Sequence, residues 1–170
     1  MGAIRSVRPE DPVPLVGLLS RFVLTRPGRW FAINVVPRID PFVMRLTRGR
    51  LSCFGRAPIV LLTVRGRRSG ALRTCPLLYY TEGDDAILVA SNFGRASHPA
   101  WYHNVVANPD VHLTSRGGSG PYRASEVLDE DERRHLFGGF ERITDVYTNY
   151  KDRTDSSGRT IRVLRLEPAR

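Results

Sequence analysis

The chain has 170 residues, 41% of them hydrophobic and 25% charged. Those proportions suit one folded domain with an interior and argue against wholesale disorder. Twenty-six basic residues against 17 acidic ones leave a net charge of +9, and Lys151 is the sole lysine. Arginine's planar fork of donors matches phosphate and carboxylate, so the balance points to an anionic partner: nucleic acid, an acidic membrane surface or a phosphorylated small molecule.

Residues 1–12 are polar and proline-containing and are expected as a loose start. Leu15, Leu18, Leu19, Phe22 and Val23 follow helical spacing over residues 13–24, and Pro27 and Gly28 break it. Further short apolar stretches at residues 30–36 and 42–46, with arginines among them, make residues 1–57 a basic, amphipathic helical arm. Such an arm packs on the rest of the protein, touches anionic lipid or covers a ligand. The N-terminus lacks a secretory pattern, and no apolar run approaches the ~20 residues that span a bilayer. The expected location is therefore cytoplasmic, with peripheral contact to the inner face of a membrane left open through the arm. Cys53 and Cys75 show neither close pairing nor metal-ligand spacing and read as reduced thiols.

From residue 58 the pattern turns to β. Ile59 to Val64 is a continuous apolar run, the mark of a buried strand. Gly66-Arg67-Arg68-Ser69-Gly70 is a turn. Leu72 to Tyr80 is a second strand, and Pro76 inside it demands an edge or a bulge. Glu82-Gly83-Asp84-Asp85 makes a hairpin turn into a strand at Ala86 to Ser91. Ser97-His98-Pro99 starts a helix that stops near Asn108-Pro109. Strands at Val111–Ser115 and Tyr122–Leu128 are separated by Gly117-Gly118-Ser119-Gly120. Asp129 and Glu132 give an Asp-x-x-Glu start to a helix running to about Ile143, and Thr160 to Glu167 closes the chain as a strand. Strands in meander order with two inserted helices predict an α+β domain over residues 58–170, a small antiparallel barrel with flanking helices.

Successive amides in a glycine-bounded turn form an anion-binding concavity. Arg67 and Arg68 project from this one, and Arg73 follows on the next strand. Three guanidiniums around one turn repel each other unless an anion joins them. The spacing of a nucleotide P-loop is absent, and a solvated basic hairpin is the plain alternative. Ala90-Ser91-Asn92-Phe93-Gly94 ends a strand in small residues, which lets a flat ring approach the backbone. The following helix N-terminus offers free amides and partial positive charge. His98, His103, His112 and His135 show no metal spacing, and His98 and His103, five apart, share a helix face poorly. No metal is assigned, and nothing in the sequence supplies a base to activate Ser69.

Together these segments resemble the deazaflavin-dependent nitroreductase family, whose members bind coenzyme F420 on a split β-barrel of the FMN-binding split-barrel kind. The resemblance runs from about Pro58 to Pro168. It is carried by Leu61-Leu62-Thr63 through Gly66–Gly70, Arg73-Thr74 and Pro76-Leu77, and by Ala90-Ser91 through His98-Pro99-Ala100-Trp101-Tyr102-His103-Asn104 into Ala107-Asn108-Pro109. Pro27-Gly28-Arg29-Trp30 and Arg48-Gly49-Arg50 also look like members.

What the resemblance implies is a set of roles. Arg67, Arg68 and Arg73 would hold the cofactor's phosphate and acidic tail, with Thr74, Cys75 and Pro76 along its path. Ser91 and Asn92 would sit against the deazaflavin ring, and Gly94, Pro99, Trp101, Tyr102 and Asn104 would complete the pocket. Tyr147 and Tyr150 would lie on the substrate side, packing on an acceptor or donating a proton. Many members carry lysine or glycine where this chain has Asn92 and Phe93. The activity implied is hydride transfer from reduced F420 to an electron-poor acceptor such as a quinone or nitroaromatic. The hydride comes from the cofactor, so no catalytic side chain is assigned. An FMN-binding split-barrel protein or a cofactor carrier is the alternative. A nucleic-acid-binding module, suggested by charge alone, lacks a reading motif. Barrel edges leave a homodimer open.

Overall fold

A computed structural model describes residues 4–11, 25, 27–28, 35, 57–143, 147 and 159–169. Among these residues, seven strands form one antiparallel sheet: β1 (Ile59–Arg65), β2 (Leu72–Leu78), β3 (Tyr80–Glu82), β4 (Asp85–Val89), β5 (Asp110–Ser115), β6 (Gly118–Glu126) and β7 (Val163–Pro168). Helix α1 (Ala100–Ala107) joins β4 to β5, and α2 (Glu130–Ile143) follows β6.

The sheet order β2-β1-β5-β6-β7-β4-β3 puts β2 and β3 at opposite edges. Yet Tyr79 alone separates them in the chain. A flat sheet cannot meet both conditions, so the sheet curls until its edges approach, giving the barrel expected from the strand pattern in the split form that the family resemblance implies. The second expected strand accordingly breaks at Tyr79 into two. Pro76, opposite Leu61, lies on the edge strand β2, where its missing donor faces no partner strand.

β1 is buried on both faces, which is why its sequence is a continuous apolar run. Val60, Leu62 and Val64 enter the main core, and Ile59 and Leu61 form a second small cluster with Ala57 and Leu78. The main core is completed by Ile87, Leu113, Tyr122, Leu164 and Leu166 from the other strands and by the apolar face of α2. Asp129 caps α2: its Oδ1 accepts the Glu132 N–H at 2.8 Å, as the Asp-x-x-Glu pattern predicts. Gly139 lets α2 lie on Tyr80, because a Cβ there would stand 2.6 Å from the ring. The Tyr80 hydroxyl in turn donates to the Leu136 carbonyl at 2.8 Å.

Two expectations are corrected. Residues 4–11 are not loose. Ile4 and Val7 are buried in the main core. The Thr81 N–H donates to the Val7 carbonyl at 2.8 Å, and the Tyr79 hydroxyl to the Arg5 carbonyl at 2.9 Å. Two apolar side chains among polar neighbours suffice here because edge strand β3 offers free backbone groups to pair with. Gly118-Ser119-Gly120 is strand rather than turn. Ser119 Oγ lies 2.7 Å from His112 Nε2 and 2.9 Å from Thr114 Oγ1, so cross-strand hydrogen bonds carry the glycines into β6. The remaining arm helix assignments, Cys53 and Tyr150 fall outside the described residues. No described helix is long and apolar enough to cross a membrane.

Candidate cofactor-binding cleft

The β1–β2 turn closes on itself and is then fixed by α1. Gly70 donates to the Gly66 carbonyl and Gly66 to the Ala71 carbonyl, each at 2.8 Å. Gly70 sits at φ +69°, a conformation that only glycine adopts freely. Two asparagines of the helix segment grip the backbone around it. Asn104 Oδ1 accepts the Arg67 N–H at 3.1 Å, and Asn108 Nδ2 donates to the Arg65 carbonyl at 3.2 Å.

Between turn and helix lies an open cleft of about 380 Å³. Its turn side is Gly66, Arg67, Arg68, Ser69 and Arg73, and its helix side is His98, Ala100, His103 and Asn104. Among the described residues, no carboxylate lines it. The three arginines are exposed and their guanidiniums meet no carboxylate or carbonyl among the described residues. Three like charges held around one small volume make a site for a multiply charged anion.

A second motif sits behind the cleft. After β4, Asn92, Phe93 and Gly94 run consecutively through left-handed backbone, at φ 50°, 57° and 71°. Left-handed backbone costs roughly 1–2 kcal/mol at a non-glycine residue and collects at ligand-binding loops. Gly94 and Arg95 donate to the Ser91 and Asn92 carbonyls, each at 3.1 Å, and Asn92 Nδ2 donates to the Ser97 carbonyl at 2.7 Å. Arg159, just before β7, clasps the loop. Its Nη1 donates to the Ala90 carbonyl at 3.1 Å, its Nη2 to the Ser91 carbonyl at 2.7 Å, and Nη1 also reaches His98 Nδ1 at 3.0 Å. Burial lowers the Arg159 pKa from its ordinary value.

The structure thus brings Arg67, Arg68, Arg73 and Asn104 into one cleft, with Ser91, Asn92 and Gly94 in the adjoining loop. Pro99 is buried as the N-cap of α1, and Trp101 packs half-buried on the core. Tyr102 turns inward. Its hydroxyl donates to Glu126 Oε2 at 2.6 Å, Glu126 pairs with Arg162 at 3.2 Å, and burial, then the Glu126 bond, push its pKa up to about 12. Thr74, Cys75 and Pro76 are not brought into the cleft. Thr74 Oγ1 lies 2.9 Å from Thr63 Oγ1, and Cys75 packs against the core, its thiol pushed up to about 12 by burial. Tyr147 is buried against Phe137 and Phe140, with ring centroids 6.2 and 5.0 Å away.

Sequence reasoning missed His98, His103 and Arg159. The two histidines share the cleft because His98 precedes α1 and is not bound by helical spacing, and their rings lie 6.1 Å apart. Burial first, then the charges of Arg159, Arg162 and His103, lower the His98 pKa below 6.5 against the opposing pull of Glu126. Arg159 sits in a polar stretch that carries no local signal.

The family model described as F420H(2)-dependent quinone reductase matches residues 38–168. The chain belongs to this family. The match reaches into the arm, beyond the Pro58 at which the sequence resemblance was drawn. The F420H(2)-dependent quinone reductase Rv1261c of Mycobacterium tuberculosis is 34% identical over 138 residues, covering 75% of this chain and 90% of that protein. A solved F420-H2 dependent reductase, FDR-A, is 37% identical, covers 65% of this chain and 94% of its own, and superposes with a TM-score of 0.58. Another solved structure, described as a domain-swapped dimer, is 31% identical, covers 76% of this chain and 97% of its own, and has a TM-score of 0.60. The split-barrel fold and the family inferred from the two sequence motifs are borne out.

Proposed function

We propose that the protein is an F420H2-dependent oxidoreductase that reduces a quinone, with the anionic end of the coenzyme in the cleft between the β1–β2 turn and α1. The observation that carries this reading is the convergence of Arg67, Arg68 and Arg73 on one cleft that no carboxylate of the described residues lines, in a chain of the F420H(2)-dependent quinone reductase family. The donor set fits the coenzyme's phosphate and acidic tail, because guanidiniums take such oxygens in charge-assisted, often bidentate pairs. When bound, the reduced deazaflavin supplies the hydride.

The chain's own residues bind and orient. The arginines neutralise the anion, Asn104 and Asn108 set the turn from which they project, and the loop at Ser91 to Gly94 is held by Arg159 in a single shape for the ring. Tyr147, buried on Phe137 and Phe140, would act on the acceptor side through packing, as the resemblance implies. Quinones are the acceptor class that the family's description supports, and a nitroaromatic is an alternative acceptor of the same electron-poor kind. The domain-swapped dimer among the similar structures supports a homodimer.

Each charge-assisted contact contributes roughly 1.5–3 kcal/mol, so Arg73→Ala weakens F420 binding about tenfold to a hundredfold, read by fluorescence titration. FMN is titrated alongside. Tighter binding of FMN, or failure of wild type to oxidise reduced F420 with any quinone, overturns the reading.

A further inference from the structure

The Arg159–His98 contact fixes a proton as well as a loop. A guanidinium carries donors and no acceptor. At 3.0 Å from Arg159 Nη1, His98 Nδ1 must therefore offer its lone pair. The neutral ring then carries its one proton on Nε2, on the side away from Arg159. Arg159 cannot turn aside, because the Ala90 and Ser91 carbonyls hold the same guanidinium. Protonating Nδ1 would set one N–H against another. Around the ring stand Arg159, Arg162, His103, Glu126 and Tyr102, whose ring centroid is 4.9 Å away, and burial with the charges of the first four keeps the imidazole neutral. His98 Nε2 has no partner among the described residues, and the ring borders the arginine cleft.

We propose that Arg159 acts as a positioning residue that locks His98 in the Nε2–H form, and that His98 Nε2 donates a hydrogen bond to an anionic oxygen of the ligand held by Arg67, Arg68 and Arg73. The ligand's identity rests on the reading above; the tautomer does not. A neutral donor beside three cations adds direction without adding repulsion when the cleft is empty.

Two measurements test this. Long-range proton–nitrogen spectra of the ligand-free protein assign the His98 tautomer: Nε2–H in wild type, and a mixture with Nδ1–H in Arg159→Met. F420 titrations then compare variants. His98→Leu weakens binding by about tenfold to a hundredfold, the range of one hydrogen bond to a charged oxygen, whereas His98→Gln, which keeps an amide donor near Nε2, stays within about threefold of wild type. An Nδ1–H signal in wild type overturns the proposal whatever binds. His98→Leu binding as wild type while Arg73→Ala is weakened removes His98 alone. If both variants bind as wild type, the coenzyme lies outside this cleft and the functional reading falls with it.

Discussion

Replacing Asn104 by aspartate separates what holds the turn from what the cleft attracts. Asn104 Oδ1 accepts the Arg67 N–H at 3.1 Å, and a carboxylate oxygen can accept that same hydrogen. Asn104 Nδ2 has no partner among the described residues, so its replacement forfeits no contact. The added charge faces Arg67, Arg68 and Arg73 across the cleft. A unit charge at 4 Å is worth about 1 kcal/mol in water and about 4 at an effective dielectric of 20. In this open cleft the effect is about 1–3 kcal/mol, with opposite signs for the two readouts. The free protein is as stable as wild type or more so, because a carboxylate now sits among unpaired guanidiniums. F420 binds about fivefold to a hundredfold more weakly, because that carboxylate competes with the ligand. Both shifts shrink as salt is raised. Asn104→Ala behaves differently: it loses the acceptor and loosens the turn, so stability and affinity fall together. Urea denaturation and fluorescence titration at low and high salt make the comparison. Unaltered affinity in Asn104→Asp would sink the assignment of the anion to this cleft.

Other outcomes follow from the same geometry. Gly139→Ala gains about 1 kcal/mol of helix propensity yet lowers stability by up to roughly 2 kcal/mol net, because its Cβ would stand 2.6 Å from the Tyr80 ring in a core where overpacking costs about 1–3 kcal/mol; a raised thermal midpoint would contradict this. Phe93 lies at φ 57°, so Phe93→Gly is more stable than Phe93→Ala by about 1 kcal/mol, the reverse of the usual order, as chemical denaturation of the two variants will tell. Acidification engages His98: the unfolded imidazole takes up its proton through about 6.5, while the folded one, held lower, does not until the pH falls further. The unfolded state binds more protons in that window, so stability falls as the pH drops below 6.5. His98→Gln should flatten that loss, and equal urea midpoints lost by wild type and variant between neutral and mildly acid pH would refute it.

Much of the barrel was legible because its signals are local. The apolar run of β1, the edge-demanding Pro76 and the Asp-x-x-Glu before α2 each depend on neighbours in sequence. The cleft was legible for a similar reason: three of its arginines fall within one hairpin. What the sequence hid depends on tertiary partners. Ile4 and Val7 read as part of a polar start because their core contacts come from β3 and the β5–β6 pair. Gly118 and Gly120 read as turn because glycine signals a break, and the ladder that holds them depends on cross-strand bonds of Ser119. By type Tyr102 suits core and pocket wall equally, the family resemblance assigns it to the pocket, and only the position of Glu126 shows that its hydroxyl is spent inward. Arg159 illustrates the limit most clearly, since its partners Ala90, Ser91 and His98 lie far back along the chain.

Those long-range bonds share a logic. Backbone groups at strand ends and in turns lie outside the ladder and need other partners. Here the Arg65 carbonyl is met by Asn108, the Arg67 N–H by Asn104, and the Ala90 and Ser91 carbonyls by Arg159. Each bond that completes the barrel's polar accounting also sets a wall of the cleft or its adjoining loop. The arginines therefore stand where α1 puts their turn, and α1 is itself anchored through Tyr102 to Glu126 and Arg162. Loosening that anchor frees the turn from the helix side of the cleft, so the three guanidiniums lose their fixed place opposite His98, His103 and Asn104. A polyanion bound between the two walls links them and favours the folded state. The coenzyme should accordingly tighten α1 as well as the turn, and its stabilising effect should grow with its concentration as mass action requires.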